Sequence, residues 1–201
     1  MMDAIEAIRT RRSIRAFRPD PVPEPLIGEL VALACTAPAP HHTRPWRFVL
    51  LGPAAREALS SAMGAAWRMD LERDGVPMER IEQLLVRSRA QILGAPALLL
   101  GGLVGEGLRR WPDDRRRRAE WGLAQHSFGA ALQNLLLAAH AHGLASFWIS
   151  APLFCATDVR RALDLPEEFV AQALVALGYA HPSYRPRERE PVELNRFLLR
   201  R

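Results

Sequence analysis

Residues 37–48 read Ala37-Pro38-Ala39-Pro40-His41-His42-Thr43-Arg44-Pro45-Trp46-Arg47-Phe48. Pro38, Pro40 and Pro45 stiffen this backbone and prevent a helix or a strand ladder from running through it. The stretch is therefore a loop between two elements. Upstream, Leu26, Leu30, Leu33 and Ala34 recur at helical spacing, which predicts a helix over residues 24–37. Downstream, residues 46–51 predict a strand closed by Gly52-Pro53. His41, His42, Arg44 and Arg47 project from the loop and could present polar groups to a flat ligand. A turn with surface histidines is the plainer alternative. No metal is expected, since adjacent histidines on an extended segment point opposite ways and no third ligand is evident.

Working outward, residues 3–10 predict a short helix capped by Asp3, with Ala4, Ile5 and Ile8 on one face. Residues 54–74 and 78–93 predict two helices parted by Gly75 and Pro77. A short buried strand over 97–104 and a loop over 105–112 come next. Residues 113–142 predict a long helix ended by Gly143, then a strand over 144–149. Residues 157–165 predict a helix capped by Thr157, and 169–178 the last strand. The tail, 179–201, is charged and proline-containing until an amphipathic stretch at 192–199. No repeat or long linker divides the chain, so one α+β domain over residues 1–201 is expected. Its sheet should be mixed and flanked by helices, because β-α-β alternation is not clean. The long helix carries Leu123, Phe128, Ala131, Leu132, Leu135, Leu136 and Ala139. One small domain buries only part of such a surface, which predicts a symmetric homodimer.

Composition excludes several classes. With 49% hydrophobic and 24% charged residues, a disordered chain is not expected. No apolar run reaches the roughly 18 residues of a membrane span. Residues 1–12 lack the pattern of a secretory signal, so a cytoplasmic protein without membrane partners is expected. Cys35 and Cys155 form no C-x-x-C and lie in apolar stretches, which predicts buried thiols. All 27 Lys+Arg residues are arginine, which removes Schiff-base chemistry and the phosphate-loop lysine. The run Gly101-Gly102-Leu103-Val104-Gly105-Glu106-Gly107 lacks G-x-G-x-x-G spacing, against a resident Rossmann-bound nicotinamide.

Three further segments could carry chemistry. Arg11-Arg12-Ser13-Ile14-Arg15 follows the first helix directly. Its guanidinium groups and hydroxyl could clamp a phosphate, or simply complement the helix dipole. Gly143-Leu144-Ala145-Ser146-Phe147-Trp148-Ile149-Ser150-Ala151-Pro152 reads as a strand ending at small residues, where a ligand can approach the backbone, or as an ordinary core strand. Arg185-Pro186-Arg187 could complete an anion site or be merely exposed.

In this order, the four segments resemble the nitroreductase family over nearly the whole chain. The H-H-T-R-P loop is similar to the C-terminal FMN domain of the bifunctional coenzyme F420 γ-glutamyl ligase. The resemblance implies FMN as cofactor and a nitroreductase-like homodimer. It implies that Arg11, Arg12, Ser13 and Ile14 hold the phosphate and ribityl end, with Arg185 and Arg187 closing the anion site. Arg15 would lie near the pyrimidine edge of the flavin. Pro38, Ala39, Pro40 and His42 would touch the ring from the partner, and Ser150 and the Ala151 backbone would approach N5. A substrate shelf is expected between the helices of residues 54–93 and the loop 105–111, with Trp67, Arg109 and Trp111 as substrate contacts. The expected reaction is FMN-dependent reduction of a dehydro precursor of coenzyme F420; the ligase domain is absent, so either a separate protein supplies it or the chain does something else with FMN. A general NAD(P)H-dependent nitro- or quinone-reductase is the second reading. A non-enzymatic basic protein for an anionic coenzyme or nucleic acid is the third, and the spread of the arginines along the chain counts against nucleic acid.

Overall fold

The computed structural model describes residues 2–201; Met1, which the single-domain reading includes, lies outside the described residues. A four-stranded sheet is built from β1 (Trp46–Leu50), β2 (Ala97–Leu103), β3 (Ala145–Ile149) and β4 (Val170–Gly178) in the order β1-β2-β4-β3. β2 is buried along its whole length and β4 along nearly all of it, which explains their unbroken apolar runs.

Alternate residues of the inner strands serve two cores. Leu99, Leu103, Val175 and Leu177 pack under α2 (Glu24–Ala34) and α5 (Asp114–Ala141). Leu98, Leu100, Leu174 and Ala176 pack against α3 (Pro53–Arg73) and α6 (Ala156–Ala162) on the other face. α4 (Met78–Leu93) lies along α3, and α1 (Ala4–Thr10) along α5. The Arg56 guanidinium ties this face together, donating to the carbonyls of Leu51 (2.8 Å), Ala95 and Pro96 (3.3 Å).

Every strand pair in the sheet is antiparallel, which corrects the expected mixed sheet. The cause is the connections. The two helices α3 and α4 join β1 to β2, so the chain returns reversed. The single helix α5 carries the chain from β2 to β3 in the same direction, and β4 then inserts between them. The parallel relation is thus present but unpaired. One isolated parallel bridge, Ser13 to Ser146, flanks the β3 edge, with the Ile14 amide donating to the Ser146 carbonyl at 3.0 Å.

Two more expectations change. The stretch 192–199 forms only a short turn, Leu194–Arg196, and its apolar side chains are exposed. On α5, Phe128, Ala131, Leu132, Leu135, Leu136 and Ala139 are consumed by the protomer's own core. Leu123 alone of the seven remains exposed, at 46%, because the helix sits in the trough between sheet and α2. The apolar content of α5 is therefore no evidence for a partner.

Candidate functional site

The C-terminal carbonyls of any helix lack partners within it and attract cations. At the end of α1 two guanidinium groups meet this need. Arg12 Nη1 donates to the carbonyls of Arg9 (3.0 Å), Thr10 (3.1 Å) and Arg11 (3.0 Å). Arg189 reaches the carbonyls of Ile8 and Arg9 (3.3 Å each) and of Arg11 (2.6 Å). Arg11 is the exception. Its Nη1 is buried with no hydrogen-bond partner, and burial together with the charges of Arg189 and Arg12 lowers its pKa. A buried donor without a partner is costly, and here it stands in an excess of positive charge. That combination fits an anion.

The family resemblance implies Arg185 and Arg187 at this place. Arg185 instead turns to the carbonyls of Pro182 (2.8 Å) and Tyr184 (3.0 Å). Arg187 contributes its carbonyl, which accepts from Arg12 Nε at 3.5 Å. Arg189 supplies the converging charge. The alternation Arg185-x-Arg187-x-Arg189 on an extended arm was a usable signal, since every second side chain shares a side.

Beyond Arg11 and Arg12, Ser13 is exposed and Ile14 half-buried beside β3. The Arg15 guanidinium lies 5.4 Å from the centre of the Phe147 ring. At the far end of β3, Ser150 and Ala151 open the short turn Ala151–Phe154 and are exposed. They line a cleft of about 760 Å³, within the range of small-molecule sites. Met63, Trp67, Leu84 and Ile149 supply its apolar walls, and Asp70, Asp74 and Arg87 its charge. The cleft lies between α3, α4 and the end of β3. Of the expected substrate contacts it includes Trp67 only.

Trp111 and the backbone amide of Arg109 are engaged by Glu120 of α5, and neither residue lines this cleft. The buried Glu120 of α5 accepts from Trp111 Nε1 at 3.0 Å and from the Arg109 amide at 3.1 Å. Arg116 covers the indole at 4.8 Å. Arg116 and Arg117 are in turn paired with Asp113 and Asp114, as in a solvated helix turn. The hydrogen bond from Trp111, then that from Arg109, holds the Glu120 carboxyl below the usual carboxylate range. A glutamine there accepts one of the two donors and faces the other with its own N–H groups. Glu120→Gln should therefore cost about 1–3 kcal/mol, read by denaturant unfolding. A carboxyl depressed on folding stabilises above its unfolded value of about 4.3, and that contribution is lost as pH falls through the lower folded value. The variant should lack this acid-side decline.

The loop after α2 is strained. His41, His42 and Arg44 have φ of 52°, 55° and 46°, a region that side chains other than glycine seldom adopt. His42 is exposed. Pro38, Ala39 and Pro40 line a smaller pocket of about 260 Å³ with His126, Ser127 and Ala130 of α5. Among the described residues no cluster of His, Cys, Asp or Glu could hold a metal ion. None of their helices is long and apolar enough to cross a membrane.

An unpartnered guanidinium before β3, a cleft at the far end of β3 and an antiparallel sheet between two helical layers are the features to be matched. Residues 8–179 match the model of the nitroreductase family, and the chain belongs to that family. It is 32% identical to an NADH dehydrogenase of Thermus thermophilus, over 96% of this chain and 94% of that one. In structure it is similar to a BluB-like flavoprotein from Clostridium difficile 630, with a TM-score of 0.80, 20% identity and all of both chains covered. It is also similar to the FMN-dependent nitroreductase NfnB from Mycobacterium smegmatis, solved in complex with NADPH, with a TM-score of 0.65 and 25% identity over 88% of this chain and 87% of that one.

Proposed function

We propose that the protein is an FMN-dependent oxidoreductase that works as a homodimer and transfers electrons from a reduced nicotinamide to a small flat acceptor. The observation that carries this reading is the buried, unpartnered Nη1 of Arg11 beside Arg12 and Arg189. A phosphate monoester supplies both the acceptor atoms and the negative charge that this place lacks. From Ser146, which pairs with Ser13, β3 runs four residues to Ser150, about 13 Å. A ribityl chain and ring can occupy that span.

FMN, when bound, supplies the hydride chemistry. The chain's own residues bind and orient. Arg11 would take the phosphate, with Ser13 beside it. Arg15 would place a positive charge near the pyrimidine edge of the ring, and the exposed Ser150 and the Ala151 backbone would approach N5. Trp67 offers a stacking wall for an aromatic acceptor, and such a contact contributes about 0.5–1.5 kcal/mol. Trp67→Ala should therefore raise KM for that acceptor roughly 2–10-fold and leave kcat nearly unchanged. In the dimer, Pro38, Ala39, Pro40 and His42 would meet the partner's flavin. The exposed Leu123, Phe197 and Leu199 are surfaces that association would cover.

Reduction of a dehydro precursor of coenzyme F420 is the second reading, supported by the H-H-T-R-P loop. The cleft argues against it. A substrate bearing a carboxylate and a phosphodiester would face Asp70 and Asp74 with only Arg87 to balance them. The test is mass spectrometry of what mild denaturation releases, followed by NADPH oxidation with a quinone or the dehydro precursor as acceptor. Release of FMN and turnover of the quinone are expected. A colourless protein that takes up no FMN overturns the proposal; turnover of the precursor alone favours the second reading.

A further inference from the structure

His140 lies in the last turn of α5, half-buried against the end of α1. Its Nε2 is 2.8 Å from Thr10 Oγ1. The same hydroxyl is 2.7 Å from the Glu6 carbonyl, which can only accept. A hydroxyl has one proton, so Thr10 donates to Glu6 and accepts from His140. Nε2 therefore carries a hydrogen, and Nδ1 is the position where a second proton would add. The bond to Thr10 survives that addition, so both ring states fit the same geometry.

The charged groups around this ring are known from each side. Glu6 approaches from α1 and favours the imidazolium. Arg11 and Arg12 approach from the segment after α1 and oppose it, as does burial, the largest influence; the net result is a lowered pKa. Arg189 of the tail adds its charge beside Arg11. Burial first, and then the charges of Arg11 and Arg12, thus disfavour the imidazolium of His140 while no anion is present. A dianion among them removes that repulsion.

We propose that His140 is a positioning residue of the anion site, holding Thr10 and the adjoining Arg11 in place and taking up a proton when a phosphate monoester binds there. The inference rests on the reading of Arg11 as the phosphate residue. Its consequence is linkage: binding strengthens as pH falls through the range in which the bound state is protonated and the free state is not. An upward shift of one pKa unit on binding corresponds to about tenfold in affinity.

The test uses the full-length protein freed of flavin, with FMN and riboflavin titrated by fluorescence quenching between pH 5.5 and 8.5. His140→Gln is the variant, because its amide can still donate to Thr10. Calorimetry at pH 7.5 in two buffers of different ionisation enthalpy counts the protons exchanged by the wild-type protein. FMN should bind the wild type up to about tenfold more tightly than the variant at the acid end. The difference should vanish at pH 8.5 and be absent for riboflavin. The wild type should also take up protons on binding FMN. If the variant follows the wild type at every pH while FMN still outbinds riboflavin, the role of His140 is overturned and the phosphate reading stands. No proton uptake by the wild type overturns it as well, even where the variant fails to fold. If FMN binds no better than riboflavin to the wild type, the phosphate reading itself fails and takes this inference with it.

Discussion

Gly102→Ala should lower the melting temperature by roughly 3–10 °C, the expected result of overpacking a buried site by about 1–3 kcal/mol in a chain of this size. A Cβ on Gly102 would stand 2.3 Å from Cζ of Phe169, and one on Gly101 would stand 2.6 Å from Cζ of Phe128. The two rings belong to opposite cores. Phe169 is only 4% exposed and is packed within its core. The ladder to β4 also shifts register between these two glycines, so the backbone there is already committed. Gly28→Ala in α2 is the control of opposite sign. Nothing lies within 4 Å of its Cβ position, and alanine in a helix gains about 0.5–1 kcal/mol over glycine. Calorimetric melting of the two variants decides the matter. An unchanged midpoint for Gly102→Ala would show that the Phe169 ring yields, contrary to a tightly filled core.

The second large effect concerns binding. Arg11→Met should weaken FMN affinity by roughly 10- to 150-fold, the loss of a charge-assisted bond of about 1.5–3 kcal/mol. The folded protein without flavin should be no less stable, since the substitution removes a buried, unpartnered guanidinium and keeps an aliphatic side chain in its place. Arg12→Ala should show the reverse balance. Its guanidinium holds three carbonyls at the end of α1, so thermal stability should fall while direct loss of the anion contact stays small. Flavin titration and thermal melting of both variants separate the two roles. Equal losses of affinity from both would mean that Arg12 leaves the helix to bind the phosphate.

These two residues show what could be read before the structure. The cluster Arg11-Arg12-Ser13 lies at the end of the first helix as read, and the helix-dipole use of its charge is present in Arg12. One arginine caps the helix and its neighbour is left free. Spacing along a chain cannot divide those roles, because the division depends on which guanidinium the tail covers. Arg189 was missed for the same reason. The helices and strands were legible wherever apolar periodicity was strong, from Leu26 to Ala34 and through β2 and β4. The order of the strands was not. It follows from the pairing of β4 with both β2 and β3, and that is a matter of distant contacts. That the larger cleft includes Trp67 but not Trp111 was not legible either. Glu120, a carboxylate just after an arginine run, gave no sign that its partners would be an indole and an amide.

The position of β4 bears on how the chain acquires its shape. Residues 170–178 leave the ribosome after every other strand, yet they fill an inner place with neighbours on both sides. Until they emerge, β3 has no strand to pair with in this sheet and β2 exposes one edge. Unpaired edges of this kind invite association with other chains. Nascent chains stalled before residue 170 should therefore depend on chaperones, and the sheet should close only after residue 178 has emerged.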